Sequence, residues 1–207
     1  MRKSIAILLF FMIGFSAFSQ EGQDALKLYR EGKYSEAISI CLKEIKETPR
    51  RVDSYVVLGW ALLAVDRYKE ALDYTKTALE FSPYDYRLLM NAGENSYYLG
   101  LYKEALEYFK KYIVIQPSGR HIPEIYAYMG DIYYRWGEYY HADIAYTTAL
   151  YYKPASSYWW LRAGLAREKS KQLNEALAAY KKVLELSPGN SDARNGVDRV
   201  TAELNNR

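Results

Sequence analysis

Residues Pro123 to Ser156 read PEIYAYMGDIYYRWGEYYHADIAYTTALYYKPAS and hold nine of the chain's 23 tyrosines. This stretch decides the fold because its landmarks recur. Gly130 has counterparts at Gly59, Gly93 and Gly164, and Ala142 at Ala37, Ala71, Ala105 and Ala176. Pro154 has counterparts at Pro49, Pro83, Pro117 and Pro188. The step is 34 residues each time, apart from one of 37 between the third copy and this fourth one. A fixed period of that size marks stacked units, none of which can bury its apolar face alone.

Each unit has two halves. In the second, Tyr55, Leu58, Ala61, Leu62 and Val65 recur at helical spacing over residues 52–65. Asp66-Arg67 forms a short turn. Ala71, Leu72, Thr75, Ala78 and Leu79 then repeat the pattern over residues 68–81. Pro83 ends the unit, since proline lacks the N–H that a helix interior needs and clashes with the preceding turn. Gly59 and Ala71, one on each helix, are expected to let the two backbones approach; a larger side chain would force them apart at about 1–3 kcal/mol. Tyr68 opens the second helix with its ring in the seam, and Tyr34, Tyr102, Tyr139 and Leu173 fill the equivalent places.

The units resemble the tetratricopeptide repeat family, whose 34-residue motif carries a large residue, a Leu-Gly pair, a Tyr, an Ala, an aromatic, a second Ala and a Pro in fixed register. The second unit matches with Tyr55, Leu58, Gly59, Leu62, Ala71, Thr75, Ala78 and Pro83, and the third with Leu89, Ala92, Gly93, Ser96, Ala105, Phe109, Tyr112 and Pro117. The fourth matches with Tyr126, Met129, Gly130, Tyr133, Ala142, Tyr146, Ala149 and Pro154. The fifth matches with Trp160, Ala163, Gly164, Arg167, Ala176, Tyr180, Val183 and Pro188. The first is degenerate: Ala25 replaces the glycine and Cys41 the aromatic, while Tyr34, Ala37 and Pro49 keep its second half. The resemblance implies an all-α, right-handed superhelical solenoid of about five helix–turn–helix repeats. These span about residues 20–51, 52–85, 86–119, 123–156 and 157–190 within a repeat domain over 20–207.

Outward from the repeats, Arg120-His121-Ile122 are three extra residues before the fourth unit, expected to be a tolerated lengthening of the loop, the alternative being a local change of superhelical twist that widens the groove there. Pro123 suits the first turn of the helix that follows. At the C-terminal end, Ser191 is expected to cap a last helix over 191–204, with Ala193, Val197, Val200 and Leu204 as its apolar stripe and a polar outer face that closes the stack. At the other end, Arg2-Lys3 precede the apolar run Ile5–Phe15 and the small residues Ser16-Ala17-Phe18-Ser19. This reads as a secretory signal peptide over 1–19, cut after Ser19. A retained anchor would need about 20 apolar residues, and Gln20-Glu21 end the run too early. The mature chain is therefore expected in the periplasm of a Gram-negative bacterium, or else secreted or bound peripherally to the envelope.

Composition excludes several functions. With 28 Lys+Arg against 25 Asp+Glu the chain lacks the basic excess that nucleic-acid binding requires. One cysteine, Cys41, allows no internal disulfide and stands at a core position. His121 and His141 have no partner at metal-ligand spacing, and there is no glycine-rich phosphate loop. Gly59, Gly93, Gly130 and Gly164 fall one per unit, where helix crossing explains them. No cofactor, metal or enzymatic activity is indicated.

The resemblance implies that the first helix of each unit lines a concave groove. The residues carried onto its exposed positions that are expected to bind a partner are Trp60, Arg87, Asn91, Glu94, Tyr97, Tyr98, Tyr128, Asp131, Tyr134, Arg135, Tyr158 and Arg162. Val56, Leu63 and Met90 share those faces. Tyr133, Tyr139 and Tyr146 are assigned instead to packing between helices. The family's clamp for a peptide's terminal carboxylate needs a Lys and an Asn at set places, and no unit supplies them: Val56 and Trp60, or Met90 and Glu94, stand there. The expected function is an exported scaffold that binds a protein or peptide segment, the partner being a component of an envelope complex. The competing reading is a solute-binding or carrier module holding a small apolar or glycan ligand on the same tyrosines.

Overall fold

The computed structural model describes residues 24–206. The signal-peptide stretch lies outside the described residues. The described chain is all-α: α1 (Ala25–Arg30), α2 (Tyr34–Glu47), α3 (Val52–Ala64), α4 (Tyr68–Phe81), α5 (Tyr86–Tyr98), α6 (Tyr102–Ile115), α7 (Ile122–Arg135), α8 (Tyr139–Tyr152), α9 (Ser157–Lys169), α10 (Leu173–Leu186) and α11 (Ser191–Asn205). Consecutive helices pair into five units closed by α11, and the packing runs from each unit to the next, so the fold is a helical solenoid. Among the described residues no helix is long and apolar enough to cross a membrane.

The turn inside each unit has one design. Its penultimate residue adopts a left-handed backbone: Gly32, Asp66, Gly100, Gly137 and Lys171, at φ from 59° to 77°. The next N–H reaches back five residues to a carbonyl of the finishing helix, as Lys33 does to Leu28, Leu101 to Ser96 and Glu138 to Tyr133, at 2.8–2.9 Å. This closes the orphaned carbonyls of the helix end. Gly32, Gly100 and Gly137 thus form a second glycine set with a different purpose from the first. Asp66 and Lys171 hold the same conformation with a Cβ, at a cost of about 1–2 kcal/mol each.

The first helices begin differently. Asp24, Asp85, Ser156 and Asn190 accept backbone N–H bonds at the starts of α1, α5, α9 and α11, at 2.9–3.3 Å for the shortest in each case. The cap of α11 is Asn190, one residue before the expected Ser191, because the amide oxygen of Asn190 reaches the Ala193 N–H at 2.9 Å.

The glycines of the first set meet rings rather than the alanines of the facing helix. A Cβ on Gly130 would lie 2.7 Å from the Tyr146 ring and one on Gly164 2.8 Å from the Tyr180 ring; Gly93 faces Phe109 in the same way. Tyr180 is held on both sides, with its other edge 2.6 Å from where Gly196 of α11 would carry a Cβ. Each ring is fully buried, which contributes about 1.5–3 kcal/mol for a side chain of the size of Phe109. The alanines 37, 71, 105, 142 and 176 are also fully buried, in the seam beside the rings.

The second unit breaks this rule. Thr75 stands where the others have a ring, and its hydroxyl turns back onto the Ala71 carbonyl at 2.7 Å. The space over Gly59 is taken by Asn91 from the next unit, whose amide donates to the Val56 carbonyl at 3.1 Å.

The three extra residues act as more than loop. Ile122 opens α7, is 1% exposed and packs with Phe109, Tyr112 and Ile125. The backbones of α6 and α7 approach less closely than those at the other junctions between units. Large side chains fill the distance, and Phe109 stacks on Tyr128 at 5.5 Å with the rings 3° from parallel.

Candidate functional site

The first helices of units one to three and the α6–α7 loop enclose an open cavity of about 740 Å³. Its walls include Tyr29 and Arg30 of α1, Trp60 and Leu63 of α3, Arg87, Met90 and Glu94 of α5, and Arg120 and His121 of the loop. Tyr29 and Trp60 lie 5.8 Å apart, centroid to centroid, and form an aromatic wall. A smaller hollow of about 230 Å³ adjoins it and shares Leu26, Trp60 and Arg87.

Charge is distributed unevenly round this cavity. Arg87 is fixed, with one guanidinium nitrogen 2.7 Å from Asp53 and the other 2.7 Å from Asp85. Burial pushes the Asp85 carboxyl up, but hydrogen bonds from Arg87 outweigh it and hold the group below its ordinary range. Arg120 donates to His121 Nε2 at 3.0 Å, so the imidazole serves as an acceptor there; burial and then the Arg120 charge push the His121 pKa down. Glu94 is the acid of the wall. Burial pushes its pKa up to about 7, against the hydrogen bond it accepts from the Tyr128 hydroxyl at 3.3 Å and with help from the Glu124 charge.

Further along the stack the polar groups satisfy one another. Asp131 is 8% exposed. One carboxylate oxygen accepts from the Tyr146 hydroxyl at 2.5 Å and from Arg162 Nε at 2.9 Å, the other from the Tyr97 hydroxyl at 3.2 Å. The Arg162 guanidinium lies 4.8 Å from the Tyr134 ring centroid. Burial and the Asp131 charge push the Tyr146 phenol well above its ordinary range; burial, followed by Asp131, brings Tyr97 to about 12. These phenols stay neutral and donate. Tyr97 also packs on Tyr128 at 4.8 Å, and Tyr98 stacks on Tyr68 at 5.0 Å.

The residues expected to bind a partner therefore divide into groups. Trp60, Arg87 and Glu94 line the cavity. Tyr97, Tyr128, Asp131, Tyr134 and Arg162 form the self-bonded cluster between units three, four and five. Tyr98, Arg135 and Tyr158 are exposed beside it, with the Arg135 guanidinium 5.6 Å from the Tyr102 ring. Asn91 is fully buried under the first group and Val56 is 1% exposed, so both lie beneath the surface.

Several cavity residues were not among those expected, and two pairs of them stand out. Tyr29 and Arg30 belong to the unit that lacks the glycine landmark, and Arg120 and His121 to the inserted loop. The insertion itself was the available signal for the second pair. Cys41 is buried in the core of the first unit, where burial pushes its thiol up to about 12. Among the described residues no group of three His, Cys, Asp or Glu is placed to hold a metal ion.

Sequence profiles described as Tetratricopeptide repeat match residues 24–86 and 56–120, 123–156, and 157–190. No curated protein sequence matches the chain. Several solved structures share the fold. MamA from Desulfovibrio magneticus RS-1, residues 41 to the end, superposes with a TM-score of 0.67 at 21% identity, covering 74% of this chain and 85% of that one. YrrB, described as a TPR protein with an unusual peptide-binding site, gives 0.72 at 22% identity over 81% of this chain and 84% of its own. The thermophilic TPR protein TTC0263 of Thermus thermophilus gives 0.58 at 22% identity over 86% and 95%. At these identities the likeness is one of fold.

Proposed function

The chain belongs to the tetratricopeptide repeat family, and from that premise we propose that it is a non-catalytic scaffold that holds a segment of a partner protein against its first helices. The observation that carries this reading is the open cavity of about 740 Å³, which three consecutive first helices share and which Tyr29 and Trp60 wall with aromatic surface. Flat aromatic rings supply contact area at low entropic cost and dominate protein interfaces. A peptide-binding structural neighbour, YrrB, supports the same class of partner. The signal-like residues 1–19 support export, and the partner is then an envelope protein.

The cavity displaces the weight of the proposal from the tyrosine-rich fourth unit to units one to three. The Tyr97–Asp131–Arg162 cluster has its bonds made internally, so a partner there would first have to break them. A photoreactive residue at Leu63, on the cavity wall, should capture the partner in cells, and one at Lys69, on the exposed side of α4, should not. Trp60→Ala should lower capture at Leu63 at least about tenfold, as loss of an aromatic hot spot does, while the far-ultraviolet circular dichroism stays helical. Equal capture at Leu63 and Lys69, or capture insensitive to Trp60, would remove the cavity from the proposal. A small molecule retained by the purified protein in native mass spectrometry would instead favour a solute carrier.

A further inference from the structure

The charges round the cavity of units one to three are in unequal states. Among the residues that line it, Arg30, Arg87 and Arg120 are cations and Glu94 is the one carboxylate. Arg87 is spent on Asp53 and Asp85. Arg30 and Arg120 are exposed, and neither has a carboxylate partner among the described residues. The one bond of Arg120 runs from Nε to the His121 imidazole at 3.0 Å and leaves both terminal nitrogens of the guanidinium for an acceptor. Glu94 offsets them little: burial raises its pKa to about 7, and its oxygen already accepts from the Tyr128 hydroxyl. Glu124, whose charge Glu94 and His121 feel, is held by Lys153. Arg30 closes α1 in unit one and Arg120 stands in the loop that ends unit three, so the free guanidiniums mark the two ends of this run of helices. Tyr29, Trp60, Leu63 and Met90 supply the apolar wall.

This pattern selects the guest by charge. A segment with carboxylates on both sides of an apolar or aromatic residue finds a guanidinium at each end of the cavity and apolar wall for its middle. The planar fork of arginine suits a carboxylate, which can accept two parallel N–H bonds from it. A basic segment would set like charges together, which works against binding, and a neutral one would leave both guanidiniums unpaired. A small anion needs convergent donors, whereas the free arginines come from opposite ends and Arg87 between them is already neutralised. Two arginines are too few for the counterion release that holds a nucleic-acid strand. We propose that the guest of this cavity is an acidic peptide segment, with Asp or Glu side chains on Arg30 and Arg120 and an apolar or aromatic residue against Trp60. This rests on the reading of the cavity as the partner site and names the class of partner. The acids belong to side chains within the segment rather than to a chain end, since Val56 and Met90 stand where the family's carboxylate clamp has its Lys.

Random peptides of about 12 residues reach about 40 Å when extended, enough to cross three packed helices. Offered to the purified chain from a carrier that blocks the C-terminus, they should be enriched for Asp and Glu around a Leu, Phe or Trp. A fluorescent copy of an enriched peptide should bind more weakly as salt rises. Arg30→Ala and Arg120→Ala should each lower its affinity about two- to fivefold, the range of an exposed charge pair. Arg30→Glu with Arg120→Glu should prefer the same peptide with its acids replaced by lysine. Both arginines are exposed, so these variants should keep the fold; should they fail to, the library and the salt dependence decide on the parent chain. Enrichment of basic or uncharged peptides that Trp60→Ala releases overturns the acidic guest and leaves the cavity as a peptide site. An acidic peptide indifferent to both arginine variants likewise overturns it. If no peptide is enriched, or if none is sensitive to Trp60, the cavity loses its role as a partner site and the acidic guest falls with it.

Discussion

Glu94 shows how one side chain can tie the cavity to pH. Its carboxyl titrates at about 7 in the fold and at an ordinary 4.5 outside it. The folded state thus prefers the protonated form. The stability from this preference is fully present below the unfolded value and is lost as pH rises through the folded one, here between about pH 4.5 and pH 7, by at most about 3 kcal/mol. Urea midpoints at pH 5 and pH 8 should differ in that direction, and Glu94→Gln should flatten the difference relative to the parent chain. Tyr29, Tyr128 and Glu124 are the titratable groups that contribute to its environment. At this scale the sequence was only partly legible. The exposed register put Trp60, Arg87 and Glu94 on first-helix faces, and the structure sets all three on the cavity wall. It could not reveal that Asn91 fills the space over Gly59, because that depends on Thr75 being too small to do so. Nor could periodicity show that Asp131, Tyr146 and Arg162, drawn from three helices, spend their polar atoms on each other.

The helix pair is the level at which the sequence spoke most clearly. One glycine, one alanine and one proline per unit are steric requirements at fixed register, so they survive as a period. The turns were less legible, since Asp66 and Lys171 occupy the left-handed position that Gly32, Gly100 and Gly137 advertise. The inserted residues were the hardest part. Read as loop, Arg120-His121-Ile122 only lengthen a connection; folded, they place two groups on the cavity wall and a third in the core. Ile122→Ala should therefore cost about 2–5 kcal/mol, the range for a large aliphatic truncated in a core. A loop residue would cost within about 0.5 kcal/mol. Chemical denaturation of the single variant distinguishes the two. The result bears on the junction of α6 with α7, where side chains rather than close backbones hold the third and fourth units together.

In the molecule as a whole, stability is a sum of units and of the contacts between neighbours. The C-terminal end depends on α11, which covers Tyr180 through Gly196 and buries Ala193 and Val200 against the fifth unit. A chain ending at Gly189 should lose amide protection in α9 and α10 while α3 to α6 keep theirs, as hydrogen exchange would show. Loss of protection throughout would mean that the stack unfolds as one block. The same one-dimensional order separates the cavity of units one to three from the Asp131–Tyr146–Arg162 cluster further along the stack. It also separates the chromophores. Of the four tryptophans, Trp60 stands in the cavity wall, whereas Trp136, Trp159 and Trp160 belong to the fourth and fifth units. With those three replaced by phenylalanine, the emission of the remaining indole becomes a private optical report from the cavity. Quenching by iodide would then register, without any label, whether that wall faces water or a guest.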